Sequence, residues 1–453
     1  MKIHDKSSTS ESYGAKFKPL DEKLLEKKVK NPREAQQSDE FVGQTGDNRS
    51  LAIFKQTNPL PAISEDVKPG EFKPKPKDWT VLCYFNGNCD LESDIESSMK
   101  SLEKVGSDDN INFVAQMAYR SEDGKAERIL LKKPGWLGFK KNSEVLADLG
   151  KTNMAHPQTL KDFISWGMKK FPANHYAVIM SGHGYGFVGS MPDEVADDIM
   201  LTTELKSALD TATKETGEKI DILGFDSCLM ANAETAYATK DSADFLVGSE
   251  EVLISGNWDY SEFGGKMKEE ANGDGLTVFE ALEAMVKSQQ NYKLLTSSII
   301  DCRDMPGFAR RLKKFSEKLL NTETPDRYIK HAFRNAQHYC QPKIMAQAAN
   351  GDIETKPMNQ MRDVVSVTME IIASDYIADT DLKQSALDLA KFIKDQVVVF
   401  EMHRKGMDIS GSKGISIYTP TSDADKYADF YENKLSLGKD TGWGKVVRKF
   451  GVS

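Results

Sequence analysis

Residues 176–184 read YAVIMSGHG and residues 220–228 read IDILGFDSC, two apolar runs that each end in small and polar residues. Each run predicts a buried strand, because roughly four to eight apolar residues between polar neighbours fit a strand covered on both faces. A helix is predicted between them, from Thr203 to Thr213. Strands joined through a helix form parallel sheets, whose ligands bind at the carboxyl ends of the strands. We therefore expect His183 and Cys228 to lie at the same edge of one sheet.

The alternation of strands and helices extends through residues 78–262. Additional strands are predicted at Trp79–Phe85, Ile111–Ala118, Ala126–Leu131 and Phe245–Gly248, and additional helices at Leu91–Val105, Gln158–Phe171 and Ala231–Thr239. Asp90, just before the first of these helices, is interpreted as its cap. This order predicts an α/β fold with a mainly parallel sheet that carries helices on both faces.

The two ends of the chain differ from this core. Residues 263–453 are predicted to be a largely helical C-terminal region, with helices that include Met361–Ala373 and Ala378–Val397 and with a strand that returns near residues 414–419. Residues 1–77 are rich in Lys, Glu, Ser, Gln and Pro, which predicts an extended or partly disordered leader with one short helix from Asp21 to Lys30. This leader is interpreted either as a tether or as a propeptide.

Composition narrows the range of functions. The 453 residues carry 60 basic and 69 acidic side chains, a net charge of −9, so a nucleic-acid binder, which needs a basic excess, is not expected. No run approaches the roughly 20 apolar residues of a membrane-spanning helix. The first residues contain no apolar stretch typical of a signal peptide. The five cysteines are scattered and odd in number, which argues against a disulfide framework and predicts at least one free thiol.

His183 and Cys228 are the residues from which we expect chemistry. A cysteine thiolate is a nucleophile, and a neighbouring imidazole can accept the thiol proton or hold the thiolate as an ion pair. Gly184 has no Cβ, so its backbone N–H can approach a substrate carbonyl and, with the N–H of Cys228, form an oxyanion hole. Taken singly, each residue is more often structural. Their positions at the ends of consecutive strands favour catalysis.

The arrangement resembles the clostripain-type cysteine peptidases, which share a clan with caspases, gingipains and legumains. The matching segments are WTVLCYF at 79–85 with Asp90-Leu91-Glu92, SGHG at 181–184, DSC at 226–228, GSEE at 248–251 with Trp258-Asp259-Tyr260, and GISIYTP at 414–420 with Trp443. Each segment is short, and it is their order and spacing along the chain that make the resemblance specific.

The resemblance implies a caspase-like fold and a Cys–His dyad that cleaves peptide bonds after Arg or Lys without an obligatory third acid. Cys228 would attack the scissile carbonyl, and His183 would protonate the leaving amine. Asp226 lies two residues before Cys228, on the same face of a strand, and would select the basic side chain. Asp259 is the weaker candidate for that pocket. The partners would be protein or peptide substrates with basic residues, and we expect a monomer.

No cofactor is expected to be required, although clostripain-like enzymes can be calcium-assisted. The segment NGNCD at 86–90 resembles the start of a calcium loop but lacks the glycine and the glutamate of an EF-hand, so a calcium site of another shape stays an alternative. The acidic segment with Asp193, Glu194, Asp197 and Asp198 is interpreted as a solvated face. The sequence assigns no compartment. The family is usually exported, which favours a secreted or cell-envelope protein if a signal peptide has been removed.

The sequence departs from the family in two segments. The loop after the first strand usually reads Asp-Asn-Asn or similar, whereas this chain has Asn88-Cys89-Asp90. Some members are cut at a basic residue after the histidine, but residues 184–205 contain no Lys or Arg. The leader contains many basic residues, and as an inhibitory propeptide it would place Arg49 or Lys55 in the Asp226 pocket.

Two further hypotheses come from other classes of protein. A catalytically silent pseudoenzyme would keep the same fold as a binding module, and slow alkylation of Cys228 would favour it. The run GYGFVG at 184–189 matches the G-x-G-x-x-G pattern of dinucleotide-binding proteins, but SMPDE follows at 190–194, where that pattern requires a helix. We therefore retain a cysteine endopeptidase as the hypothesis and the pseudoenzyme as the alternative.

Overall fold

The structure is a computed structural model that describes residues 76–134, 143–253, 258–271, 275–290, 295–339, 360–404, 409–421 and 425–451. Its strands are β1 (Lys77–Phe85), β2 (Ile111–Tyr119), β3 (Lys125–Leu130), β4 (Glu144–Lys151), β5 (Ala173–Ser181), β6 (Gly189–Asp193), β7 (Asp198–Leu201), β8 (Ile220–Asp226), β9 (Ala243–Gly248), β10 (Thr296–Asp301), β11 (Met361–Asp363), β12 (Val398–His403) and β13 (Ser416–Tyr418). Of the predicted leader only residues 76 and 77 are described, so its helix at 21–30 stays a prediction.

The helices of the described residues are α1 (Glu92–Val105), α2 (Pro157–Lys170), α3 (Thr202–Thr216), α4 (Ala233–Thr239), α5 (Tyr260–Glu270), α6 (Val278–Gln290), α7 (Met305–Asn321), α8 (Asp326–Asn335), α9 (Val364–Ala373), α10 (Thr380–Phe392), α11 (Asp425–Asn433), α12 (Ser436–Thr441) and α13 (Trp443–Gly451). None of these helices is both long and apolar enough to cross a membrane.

A nine-stranded sheet in the order β12-β10-β9-β8-β5-β1-β2-β3-β4 forms the centre of the molecule. The five middle strands, β9 to β2 in that order, are parallel, and antiparallel pairs extend the sheet at both edges. Apolar side chains cover both faces. In β1, Leu82 and Tyr84 join the core cluster that includes α2 and α3, whereas Val81 and Phe85 join the cluster that includes α1, α5 and α6. The predicted α/β fold with helices on both faces is confirmed.

Several strands were not predicted from the sequence. β4 continues the sheet at one edge, where its residues are mostly exposed or half-buried and therefore carry little apolar signal. β12 begins at Val398, because α10 ends at Phe392 and a single π-type turn separates the two elements. β11 occupies residues 361–363, where a helix was predicted, and α9 begins only at Val364.

The strand predicted near residues 414–419 corresponds to β13 (Ser416–Tyr418). β13 pairs with β11 in a separate two-stranded sheet, and the strands that return from the C-terminal region to the main sheet are β10 and β12. They join the sheet on the side of β9, beyond the predicted domain boundary at residues 262 and 263. That boundary stays a prediction.

A buried carboxyl group ties β13 and α11 to the core. Glu234, in the first turn of α4, accepts hydrogen bonds from the backbone N–H of Tyr418 (2.8 Å) and from the hydroxyl of Tyr431 (2.5 Å). Trp443 completes this region, since its indole N–H donates to the carbonyl of Tyr418 at 2.8 Å. Burial raises the pKa of Glu234 to about 7, partly offset by these two hydrogen bonds.

The Glu234 carboxyl should make stability fall as the pH rises. An exposed glutamate has a pKa of about 4.3, so the folded state holds this proton more tightly than the unfolded state does. The resulting stabilisation is complete below pH ~4 and is lost as the pH rises through about 7. Glu234→Gln removes the titration. We expect the unfolding free energy of the wild type, relative to that of this variant, to drop by up to roughly 3 kcal/mol between pH 4.5 and pH ~7.5 in urea titrations. Exposed Glu323→Gln is the control and should leave that dependence unchanged.

Candidate active site

The pairing of β5 with β8 brings the two predicted catalytic segments together. Ser181 lies opposite Asp226 at the last position of this parallel register, and His183 and Cys228 each follow two residues later. The two segments are in close contact, because an ideal Cβ at Gly184 would lie 2.1 Å from the carbonyl oxygen of Cys228. A side chain at position 184 therefore requires the backbone to move.

Cys228 is half-buried in a turn that leaves β8 sharply. The next residue, Leu229, has a φ of 64°, a conformation that few non-glycine residues adopt. The thiol sulfur accepts a hydrogen bond from the backbone N–H of Leu253 at 3.2 Å. Burial raises the pKa of the Cys228 thiol to about 11; the Leu253 N–H lowers it, and the Glu251 and Asp226 carboxylates raise it. A base must therefore remove the thiol proton for this sulfur to act as a nucleophile near neutral pH.

Asp90 makes the closest contact of the His183 ring. Its Oδ1 lies 2.6 Å from His183 Nε2, and the Asp90 side chain is 65% exposed. The interpretation of Asp90 as a helix cap was wrong: α1 begins after Leu91, without a side-chain cap. The resemblance had already singled out the segment at 90–92. No local pattern could link Asp90 to a histidine 93 positions away, because only the pairing of β1 with β5 joins them.

Asp226 is buried at the end of β8. Its Oδ2 accepts hydrogen bonds from the hydroxyls of Ser181 (3.1 Å) and Tyr260 (3.0 Å), and its Oδ1 accepts the backbone N–H of Trp258 at 3.2 Å. Burial raises the pKa of Asp226 to about 6, and these hydrogen bonds oppose that rise. Asp226 is the last residue of β8, and Cys228 follows two residues later. The role of Asp226 in substrate selection stays a prediction.

Asp259 forms the N-cap of α5. Its Oδ1 accepts the backbone N–H of Glu262 at 2.9 Å and the hydroxyl of Ser261 at 2.7 Å. These contacts are sufficient to account for an aspartate here, because an N-cap oxygen satisfies backbone donors at the start of a helix. Its predicted role in a substrate pocket stays a prediction.

The hydrogen bonds of its neighbours fix the direction of the Gly184 backbone N–H. His183 O accepts from the N–H of Met191 at 2.9 Å, and Tyr185 N–H donates to Gly189 O at 2.9 Å. Since N–H groups alternate in direction along an extended chain, the N–H of Gly184 faces away from β6. The oxyanion hole built from Gly184 and Cys228 remains a prediction that this orientation favours.

Within the acidic segment at 193–198, which was interpreted as a solvated face, Glu194 and Asp197 are exposed, whereas Asp193 is not. Residues 189–201 form the β6–β7 hairpin, and Asp193 within it is buried. Its carboxylate accepts hydrogen bonds from the side-chain amide of Asn88 (2.6 Å) and from the backbone N–H groups of Met154 (2.7 Å), Val195 (3.0 Å) and Ala196 (2.8 Å). These donors occupy both oxygens, so Asp193 joins the hairpin to the loop after β1. The calcium alternative for that loop stays untested.

Comparisons with known proteins identify the family. The family model of the clostripain family, peptidase family C11, matches residues 86–450, so the chain belongs to this family. Clostripain of Hathewaya histolytica is 26% identical over 239 residues, which cover 44% of this chain and 44% of clostripain. The matched region thus spans less than half the length of that relative.

Solved structures support the fold. A secreted C11 cysteine protease from Bacteroides thetaiotaomicron in complex with an irreversible peptide inhibitor superposes with a TM-score of 0.59 at 16% identity, over 81% of this chain and 99% of that one. An inactive zymogen C11 protease from Parabacteroides distasonis gives a TM-score of 0.60 at 18% identity, over 82% and 99%. The expected resemblance and the caspase-like fold are confirmed.

Replacement of Gly184 tests the contact between the two segments. We expect Gly184→Ala to lower the unfolding free energy by roughly 1–3 kcal/mol, because its Cβ would meet backbone that cannot rotate away. We also expect slower alkylation of Cys228, since its carbonyl must shift. Gly265→Ala is the matched control: a Cβ there meets nothing within 4 Å, and alanine favours a helix. Equal melting temperatures for the two variants would contradict the close approach.

Proposed function

We propose that this protein is a cysteine endopeptidase that cleaves after Arg or Lys. Cys228 is the nucleophile and His183 is the general base and acid. The observation that carries the proposal is the parallel register of β5 and β8, which sets a thiol and an imidazole at adjacent strand ends in a chain of the clostripain family. That pairing is the chemistry expected of a thiol peptidase, in which the base accepts the thiol proton and later donates it to the leaving amine.

The contact with Asp90 selects the ring nitrogen that reacts. A carboxylate accepts, so His183 Nε2 carries the proton and the lone pair lies on Nδ1. Nδ1 can then accept the Cys228 proton, and the Asp90 charge stabilises the imidazolium that results. Asp90 is thus a positioning residue for the dyad. The N–H groups of Gly184 and Cys228 hold the oxyanion of the tetrahedral intermediate.

The proposed reaction has two steps, which are attack by the cysteine on the peptide bond and hydrolysis of the resulting thioester. The thiolate adds to the scissile carbonyl, the intermediate collapses to a thioester, and the amine leaves with the proton from His183. Water then loses a proton to His183 and adds to the thioester, and the acid product and the thiol are released. A pseudoenzyme would keep the geometry without these steps, so turnover distinguishes the two hypotheses.

Asp226 is the proposed partner of the basic side chain. Each carboxylate oxygen can accept two hydrogen bonds, so Oδ1, which accepts from Trp258, retains capacity for a guanidinium or an ammonium group. The competing role is structural, since Asp226 also joins the end of β8 to Tyr260. The zymogen form and export to the cell envelope or medium are further parts of the proposal, supported by family membership.

Hydrolysis of short fluorogenic peptides tests the proposed activity. We expect turnover when Arg or Lys precedes the leaving group and little when Asp or Asn does. Cys228→Ala should abolish turnover without changing the melting temperature, and His183→Ala should be nearly as severe, because the dyad acts as a unit. The buried Cys302→Ala is a control for thiol loss and should keep full turnover. Full activity of Cys228→Ala would refute the nucleophile assignment.

Asp226→Asn distinguishes a role of Asp226 in recognising the basic side chain from a purely structural role. We expect at least a roughly tenfold loss in kcat/KM for Arg and Lys substrates, because a charge-assisted hydrogen bond contributes roughly 1.5–3 kcal/mol. Alkylation of Cys228 should be unchanged. The KM of the wild type for an Arg peptide should rise as the pH falls through about 6, where Asp226 becomes protonated, and the variant should lack this rise. Loss of alkylation together with basic preference would instead assign Asp226 to the scaffold.

A further inference from the structure

Cys89 lies beside the His183 ring, although the proposed reaction does not use it. The Cys89 sulfur, a carboxylate oxygen of Asp90 and a ring nitrogen of His183 all lie within 4.8 Å of one another. Cys89 and Asp90 belong to the loop after β1, and His183 follows β5. A thiolate, an imidazole and a carboxylate are the three ligand types that proteins offer to zinc.

We propose that Cys89, Asp90 and His183 form a binding site for Zn²⁺ that switches off the dyad. Three protein ligands leave one coordination position for water, the arrangement found in catalytic zinc sites. A metal on Nε2, the nitrogen that now faces Asp90, requires the ring proton to be on Nδ1. The ring then has no lone pair for the Cys228 proton, so the metal inhibits without touching Cys228.

The ligand atoms must rearrange to hold zinc, because the Asp90 and His183 atoms are too close together and the distances from the Cys89 sulfur, which are within 4.8 Å, must close by up to about 1.5 Å. Tetrahedral zinc with bonds of about 2.0–2.3 Å separates its ligand atoms by about 3.3–3.6 Å. The Asp90–His183 distance of 2.6 Å must therefore open by less than about 1 Å. Asp90 can move, because its side chain is 65% exposed and lies at the start of a loop-to-helix junction. In the metal-free protein the Cys89 thiol donates a hydrogen bond to the carbonyl oxygen of Asn86 at 3.4 Å, and metal binding would release this proton and replace the hydrogen bond.

A surface pocket reaches two of the three ligands. Its volume is about 310 Å³, and Cys89 and Asp90 line it together with Glu92 and Glu96. Arg120 in the lining is paired with Glu194 at 3.0 Å, and Glu96 is paired with Lys100 at 2.6 Å, so Asp90 and Glu92 carry the remaining negative charge, which attracts cations. A metal ion would approach Cys89 and Asp90 from this pocket.

The ligand set excludes the cations that prefer oxygen. Calcium and magnesium take carboxylate, carbonyl and water oxygens, whereas a thiolate and an imidazole favour zinc among the common divalent metals. The site therefore differs in ligand chemistry from the calcium alternative for residues 86–90, with which it shares Cys89 and Asp90. It depends on Cys89, in a segment where the sequence departs from the usual family pattern.

Zinc titration of peptidase activity is the first test, and it rests on the proposed function. Zn²⁺ should inhibit hydrolysis of an Arg peptide by the wild type. Cys89→Ser keeps a hydrogen-bond donor for the Asn86 carbonyl and should keep the metal-free turnover. It should raise the half-inhibitory zinc concentration at least roughly tenfold, because even the loss of a group that only supports a metal ligand weakens metal binding by about tenfold or more. Cys89→Ala is the second variant if the serine substitution perturbs the loop. If both variants were as sensitive to zinc as the wild type, the proposal would be overturned.

Cobalt binding is the second test and needs no activity. Co²⁺ replaces Zn²⁺ and gives a thiolate-to-metal band in the near ultraviolet when a cysteine is a ligand. In Cys228→Ala the band should appear, and zinc should displace it; in the double variant Cys89→Ser, Cys228→Ala it should be absent. If the cobalt bands follow this pattern but the wild type does not hydrolyse the peptides, the metal site is supported and the proposed function is refuted. A band that survives Cys89→Ser, or none in Cys228→Ala, refutes the site.

Discussion

The pairing of β5 with β8 is the contact on which the candidate site depends. Parallel strands end at the same edge, and the register that sets Ser181 opposite Asp226 also sets His183 near Cys228. The approach is so close that position 184 tolerates only glycine without a backbone shift. β9, on the other side of β8, brings the backbone N–H of Leu253 to the thiol. Three neighbouring strands therefore contribute to the surroundings of one sulfur atom.

Buried carboxyl groups connect the C-terminal region to this edge. Glu250, just after β9, accepts the N–H of Gly414 at 2.9 Å, and Asp363 accepts the N–H of Lys413 at 2.7 Å. Burial raises the pKa of both carboxyl groups, and the neighbouring Asp363 raises that of Glu250 further. Glu234 accepts hydrogen bonds from Tyr418 and Tyr431. The segment at 413–418 is thus held by Glu234 and Glu250, which follow the central strands β8 and β9, and by Asp363 at the end of β11.

The sequence predicted most of this core because its signals are local. Apolar runs gave the central strands, and the strand ends gave His183, Cys228 and Asp226. Edge strand β4 was not predicted because it is half polar, and the pairing of β13 with β11 was not predicted because pairing partners are not encoded locally. The contact of Asp90 with His183 and the burial of Asp193 both depend on chain segments far away in sequence. The hydrophobic periodicity of the sequence cannot predict contacts of this kind.

The long sequence intervals within the site have a consequence for synthesis of the protein. Asp90 and His183 emerge from the ribosome well before Cys228, and the thiol lacks its Leu253 hydrogen bond until β9 has folded. The anchors of Glu234, at Tyr418 and Tyr431, emerge later still. Non-local contacts of this kind form late in folding. The contacts that hold this edge of the sheet therefore cannot all form until residue 431 has been synthesised.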